Sequence, residues 1–128
     1  MNNMKVSIIT AVFNNVSTIK NAIDSVLGQT YQNIEYIVID GASTDGTVDV
    51  VTRYQDKISV FISESDKGIY DALNKGIELA TGDVIAILHS DDIYCNEFVV
   101  SDMVGKMTSS NAEFCFSDMV VINCQLDK

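Results

Sequence analysis

The chain predicts an α/β domain built on a mostly parallel sheet with helices on both faces. Three observations lead there. Strand-like and helix-like segments alternate along the chain, the pattern that βαβ units leave. Val84-Ile85-Ala86-Ile87-Leu88 is apolar throughout, and such a run suits a strand buried on both faces, as in a parallel sheet. The 128 residues are 47% hydrophobic, enough for one domain that buries roughly two-thirds of its unfolded surface. No repeat, low-complexity tract or linker divides residues 1–128, which read as a single domain.

The elements follow in order. Val6 to Ala11 reads as the first strand. A helix over about Ser17 to Leu27 carries Ile19, Ala22, Ile23, Val26 and Leu27 on one stripe, and Gly28 suits its stop. The second strand is Glu35 to Asp40. A short helix over about Thr47 to Tyr54 has Asp45 or Thr47 as candidate caps. A third strand spans about Ile58 to Ser63. The third helix, about Ile69 to Ala80, places Ile69, Ala72, Leu73, Gly76, Ile77 and Ala80 on one face, with Gly82 just beyond it. Val84 to Leu88 is the fourth strand. A weaker helix lies around Asn96 to Met107, and a last strand is expected from Phe114 to Ile122. The chain stops soon after, which leads us to expect a fragment of a longer protein.

Charge and cysteine usage narrow the function. Eighteen acids against 8 bases leave a formal net charge of −10. Such a field repels nucleic acid and anionic membrane surfaces. An anionic ligand would need a metal ion or helix N-termini to bind. Cys95, Cys115 and Cys124 form no C-x-x-C pair and read as reduced thiols of a cytoplasmic protein. No apolar run approaches the ~18 residues of a membrane span, and no signal-peptide pattern opens the chain. The phosphate loop, the dinucleotide fingerprint and the Gly-x-Ser-x-Gly elbow are all missing from the sequence.

Chemistry concentrates where strands end. Asp40, then Glu64 with Asp66, then Asp91 with Asp92 all follow strands. In a parallel sheet these ends share one edge, where open α/β sheets bind ligands. Adjacent carboxylates repel and raise each other's pKa unless something compensates. A hard divalent ion with oxygen ligands does so, and such ions often hold substrate phosphates. The bland alternative for Asp91-Asp92 is a solvated turn capping the next helix.

Asp40 directly follows Val38-Ile39 and can accept an N–H from a base or hydroxyls from a ribose. Asp45-Gly46-Thr47 reads as a turn and cap. Thr10, Ala11, Val12, Phe13, Asn14 and Asn15 leave the first strand at the same edge, where their backbone would line a base pocket; the alternative is that Asn15 or Ser17 simply caps the first helix. Asp66 near a helix N-terminus is explained equally by capping and by ligand binding. Lys67 is not favourable there, so a ligand phosphate or an acid is its alternative partner. Asn74 and Lys75 read as a solvated face. His89 reads as a neutral residue finishing its strand rather than a metal ligand or proton carrier.

Six segments in order resemble the nucleotide-sugar-binding half of a family 2 glycosyltransferase with the GT-A fold, a Rossmann-like three-layer sandwich. They are Val6 to Asn14, Ser25 to Tyr31, Glu35 to Thr47, Glu64 to Ile77, Ala80 to Asp83 and Ser90-Asp91-Asp92. The resemblance implies that Asp40 and Asp66 line the nucleoside pocket, with Lys67 and Ser90 among the substrate-binding residues. It implies that Asp92 contacts Mn²⁺ or Mg²⁺ bridging the diphosphate while Asp91 lies near the ribose. It further implies inverting transfer from a nucleotide-diphosphate sugar, commonly a UDP-sugar, to a glycan or lipid-linked acceptor in polysaccharide biosynthesis. That acceptor would be met at the cytoplasmic face of a membrane, and a homodimer stays open.

The sequence departs from the family pattern at His89, where asparagine or aspartate is usual, at Ser65, where proline is common, and at Tyr94-Cys95-Asn96, where proline often occurs. Only 36 residues follow Asp92, fewer than the family's base and acceptor region require. No catalytic base is named, and the chain is not expected to turn over alone. Two rivals remain: a metal-dependent nucleotidyltransferase or phosphotransferase, and a non-catalytic nucleotide-sugar-binding domain.

Overall fold

The first strand, β1 (Val6–Val12), is buried at every position, so both of its faces must be covered. A computed structural model describes residues 4–110. After β1 come α1 (Val16–Leu27), β2 (Ile34–Asp40), α2 (Thr47–Thr52), β3 (Val60–Ser63), α3 (Ile69–Leu79), β4 (Val84–Ile87) and α4 (Val99–Ser110). The strand order is β3-β2-β1-β4, and every pairing is parallel.

The period-two alternation of side chains splits the core into two layers. Val6, Ile8 and Val12 join Tyr36 and Val38 against Ile19 and Ile23 of α1, Val51 of α2 and Val100 and Val104 of α4. Ile9, Ala11, Ile37 and Ile39 turn the other way, toward Ala72 of α3. Helix, sheet and helix make three layers, as expected. On the second face α3 lies very close to β1: a β-carbon on Gly76 would stand 2.6 Å from Ile9 Cγ2.

The amino-terminal edge of the sheet is closed by polar contacts. Glu35 Oε1 accepts from Ser7 Oγ at 2.6 Å and from Thr81 N at 2.8 Å, while Thr81 Oγ1 donates to Oε2 at 3.0 Å. Lys5 Nζ lies 3.9 Å from Oε2. Burial by itself would raise the Glu35 carboxyl, but these hydrogen bonds and the Lys5 charge outweigh it and hold it below its ordinary value. This clasp ties β1, β2 and the α3–β4 turn together and leaves the opposite edge for a site.

Three expectations need correction. β4 was expected to be buried on both faces, yet it lies at the edge of the described sheet and Ile85 is 38% exposed. An apolar side chain there has no strand beside it and only partial cover above. On α3, Ile69 and Ile77 were placed on the buried face but remain 46% and 43% exposed. The close approach at Gly76 lets Ala72 and Gly76 carry the contact, so the larger neighbours are left at its margin. α4 starts at Val99 rather than Asn96, because Asn96 Oδ1 accepts Phe98 N at 2.8 Å and forms a turn ahead of the helix. The strand expected at Phe114 to Ile122 lies outside the described residues. Among the described residues no helix is long and apolar enough to cross a membrane.

Candidate nucleotide-sugar site

The strand order reverses beside β1. The chain reaches β2 through α1 on one face, and reaches β4 through α3 on the other. A crevice therefore opens at the carboxyl ends of β1 and β4, the position at which open α/β sheets take ligands. A cavity of about 500 Å³ occupies it, within the size range of small-molecule sites. Ala11, Val12 and Phe13 wall it from the end of β1; Asp66, Gly68 and Ile69 from the start of α3; His89, Ser90 and Asp91 from the segment after β4.

Asp40, at the end of β2, is fully buried. Its Oδ2 accepts from Ser43 N at 2.9 Å and Ser63 Oγ at 2.8 Å, and its Oδ1 accepts from Ser43 Oγ at 2.6 Å. These bonds hold a tight loop in which Ala42 takes a left-handed φ of +66°. The loop after β1 is strained in the same sense, with Asn14 at φ +48°. The two loops are stapled: Asn14 N donates to Ser43 Oγ at 2.7 Å, and Thr44 N donates to Asn14 Oδ1 at 2.8 Å. Asp45 serves two helices. Its Oδ1 accepts Thr47 N at 3.0 Å and its Oδ2 accepts Val16 N, at the start of α1, at 3.1 Å.

Asp66 sits directly over Gly41. Its Oδ1 accepts Gly68 N at 3.0 Å, while Lys67 N donates to Asp71 Oδ2 at 3.0 Å. Lys75, expected on a solvated face, instead braces this loop. Its Nζ lies 2.9 Å from Glu64 Oε2 and donates to Ser65 O at 3.4 Å. Bonding to Glu64, with Asp71 and Asp66 nearby, raises the Lys75 ammonium above its ordinary pKa.

Asp91 faces the cavity and Asp92 follows it, its N–H donating to His89 O at 3.0 Å. Burial, and next the charge of Asp91, push the Asp92 carboxyl above its ordinary value, with His89 opposing. A carboxylate held in this way gains from a cation. Two adjacent oxygen donors suit a hard ion such as Mn²⁺ or Mg²⁺ whose remaining positions go to phosphate and water. Among the described residues no three His, Cys, Asp or Glu side chains converge, so the protein would supply only part of the coordination shell.

Of the residues singled out in the sequence, Ala11, Val12, Phe13, Asn15, Asp66, Ser90 and Asp91 meet at the cavity. Thr10, Asn14, Asp40, Lys67 and Asp92 are not among its lining residues. The Thr10 hydroxyl is buried against Tyr36 Oη at 2.9 Å, and Lys67 is exposed. Sequence reasoning did not mark Gly68, Ile69 or Ala72 as lining the cavity. His89, taken as finishing its strand, faces the cavity. Asn15, read from the sequence both as part of the pocket-lining segment and as a cap, lines it too and donates from Nδ2 to Ser90 Oγ at 2.8 Å. Nothing local marks Asn15 for that bond, because its partner lies 75 residues away.

Comparison with known proteins follows the same lines. The chain is 38% identical over 116 residues to an uncharacterised glycosyltransferase of Nostoc sp., covering 81% of this chain and 36% of that protein. It is 35% identical over 117 residues to the Escherichia coli UDP-Glc:alpha-D-GlcNAc-diphosphoundecaprenol beta-1,3-glucosyltransferase WfaP, covering 91% and 46%. The chain thus spans half or less of the length of these relatives. Among solved structures, a mannosyltransferase from Pyrobaculum calidifontis in complex with GDP-Man and Mn²⁺ superposes with a TM-score of 0.75 at 26% identity, over 81% of this chain and 32% of that one. The Staphylococcus aureus protein TarS, in complex with UDP-GlcNAc, superposes with a TM-score of 0.77 at 24% identity, over 84% and 32%, a likeness of fold. The fold is that of GT-A glycosyltransferases. The model of glycosyl transferase family 2 matches residues 7–127, and the chain belongs to that family.

Proposed function

We propose that the cavity binds a nucleotide-diphosphate sugar with a divalent cation, and that the protein transfers the sugar to an acceptor. The observation that carries this reading is the convergence of Asp66, Ser90 and Asp91 on a 500 Å³ cavity at the strand-order reversal. The cation, Mn²⁺ or Mg²⁺, would be held by Asp92 with Asp91 beside it, and would neutralise charge on the departing diphosphate. The complexed GDP-Man and Mn²⁺ of the Pyrobaculum mannosyltransferase support this pairing of ligand and ion.

Phe13 is 62% exposed at the rim, and a flat apolar ring there suits stacking on a base. Asp40 is fully buried and accepts three hydrogen bonds from Ser43 and Ser63, so it would act by holding the loop beside the nucleoside pocket. A UDP-sugar donor, and a glycan or lipid-linked acceptor, are in keeping with the substrates in the name of WfaP. We read the chain as the donor-binding portion of an inverting enzyme working at the cytoplasmic face of a membrane.

The test is thermal unfolding with UDP or GDP, with and without MnCl₂. Protection that requires both nucleotide and metal supports the reading. No shift with either nucleotide, at millimolar concentrations and with metal present, overturns it.

A further inference from the structure

Asn15 is the N-cap of α1, and asparagine is among the best cap residues. Its side chain nevertheless makes no cap hydrogen bond. The first helical N–H, that of Val16, is satisfied from another loop by Asp45 Oδ2 at 3.1 Å. Asn15 is thereby released to face the cavity, where Nδ2 donates to Ser90 Oγ at 2.8 Å. Ser90 is 8% exposed and immediately precedes Asp91.

A serine hydroxyl has one hydrogen to give. With one lone pair occupied by the Asn15 amide, that hydrogen is turned away from Asn15. Among the described residues it has no other protein partner, and both residues border the cavity. A hydroxyl held in this way presents a donor to an anionic or hydroxylic oxygen of a ligand without first choosing its rotamer.

We infer that Asn15 is a positioning residue: it orients the Ser90 hydroxyl as a hydrogen-bond donor to the nucleotide-diphosphate sugar, and joins the loop after β1 to the acidic segment after β4. The inference rests on the reading of the cavity given above. It also assigns Asn15 a role that its position at a helix start does not suggest.

Substitution separates the two roles. Asn15→Ser keeps a good cap residue but is too short to span to Ser90; Asn15→Ala removes both capacities. The affinity of the full chain for UDP in the presence of Mn²⁺ is measured by calorimetry, with Tm beside it. Asn15→Ser is expected to weaken UDP binding by about three- to tenfold, the worth of one oriented hydrogen bond, with Tm lowered no further than in Ser90→Ala. Ser90→Ala is expected to weaken it to a similar degree, and the double variant Asn15→Ala with Ser90→Ala no further than Ser90→Ala alone. Wild-type affinity in Asn15→Ser, or additive losses in the double variant, overturns the inference and leaves the nucleotide site standing. Absence of UDP binding by the wild-type chain overturns both.

Discussion

The Asp66 carboxylate lies against the backbone of Gly41, with Oδ2 2.9 Å from the point a β-carbon would occupy. Any side chain at residue 41 must displace the acid from the cavity wall. The obstacle is the free end of a flexible side chain rather than backbone, so the fold can yield. Gly41→Ala is therefore expected to cost under about 1 kcal/mol of stability. The same change is expected to weaken UDP binding about fivefold, the value of one hydrogen bond. Urea unfolding and calorimetry on the same preparation check both parts. Unchanged UDP affinity would remove Asp66 from the binding site.

Ala42 holds a left-handed φ of +66° without being glycine. An L side chain in that region costs roughly 1–2 kcal/mol, partly offset by the greater flexibility of unfolded glycine. Ala42→Gly is expected to stabilise the protein by about 0.5–1 kcal/mol, read as a higher urea midpoint with unchanged slope. Lower stability would mean that the methyl group contributes packing that outweighs the strain.

Glu35 makes the amino-terminal clasp sensitive to acid. Its carboxyl is depressed in the folded state relative to a reference value of 4.5. The folded protein therefore holds fewer protons on it than the unfolded chain does, and stability rises with pH in that window. The contribution is fully present above the unfolded value and is lost as pH falls through the folded one. Glu35→Gln should lower the urea midpoint clearly at pH 7, and the gap from wild type should narrow toward pH 3. A gap independent of pH would show that hydrogen bonding alone, without charge, supplies the clasp.

Asp92 has the opposite sign. Its carboxyl is raised in the folded state by burial and by Asp91, against a reference value of 3.8. Ionising it costs stability, and the cost sets in as pH rises past the unfolded value. Asp92→Asn removes that cost, so the metal-free variant is expected to melt higher than wild type at pH 7. It is also expected to lose the additional protection that Mn²⁺ gives in the presence of UDP. A variant that melts lower, with the metal response intact, would assign the carboxylate to the fold instead.

Much of the architecture was legible because periodicity reports burial. The stripe of Ile19, Ala22, Ile23, Val26 and Leu27 predicted α1, and all but the partly buried Leu27 are buried. The apolar strands predicted parallel pairing, and acids after β2, β3 and β4 predicted which edge carries chemistry. Where periodicity failed, geometry beyond the element decided. Ile85 reads as core but lies on an edge strand of the described sheet, and Ile77 yields its place to the smaller residues at the helix contact.

By itself the sequence determined the order of elements, the sheet type and the residues available at its carboxyl edge. These follow from side-chain spacing and local backbone preference, which neighbours along the chain dictate. Only the tertiary structure decided how those residues divide their hydrogen bonds. It turned Asp40 inward onto Ser43 and Ser63, laid Asp66 over Gly41, drew Lys75 onto Glu64 and gave Asn15 to Ser90. Such partners are chosen by distance and direction between loops that the crossover from β3 to β4 brings together, and no local pattern encodes that meeting.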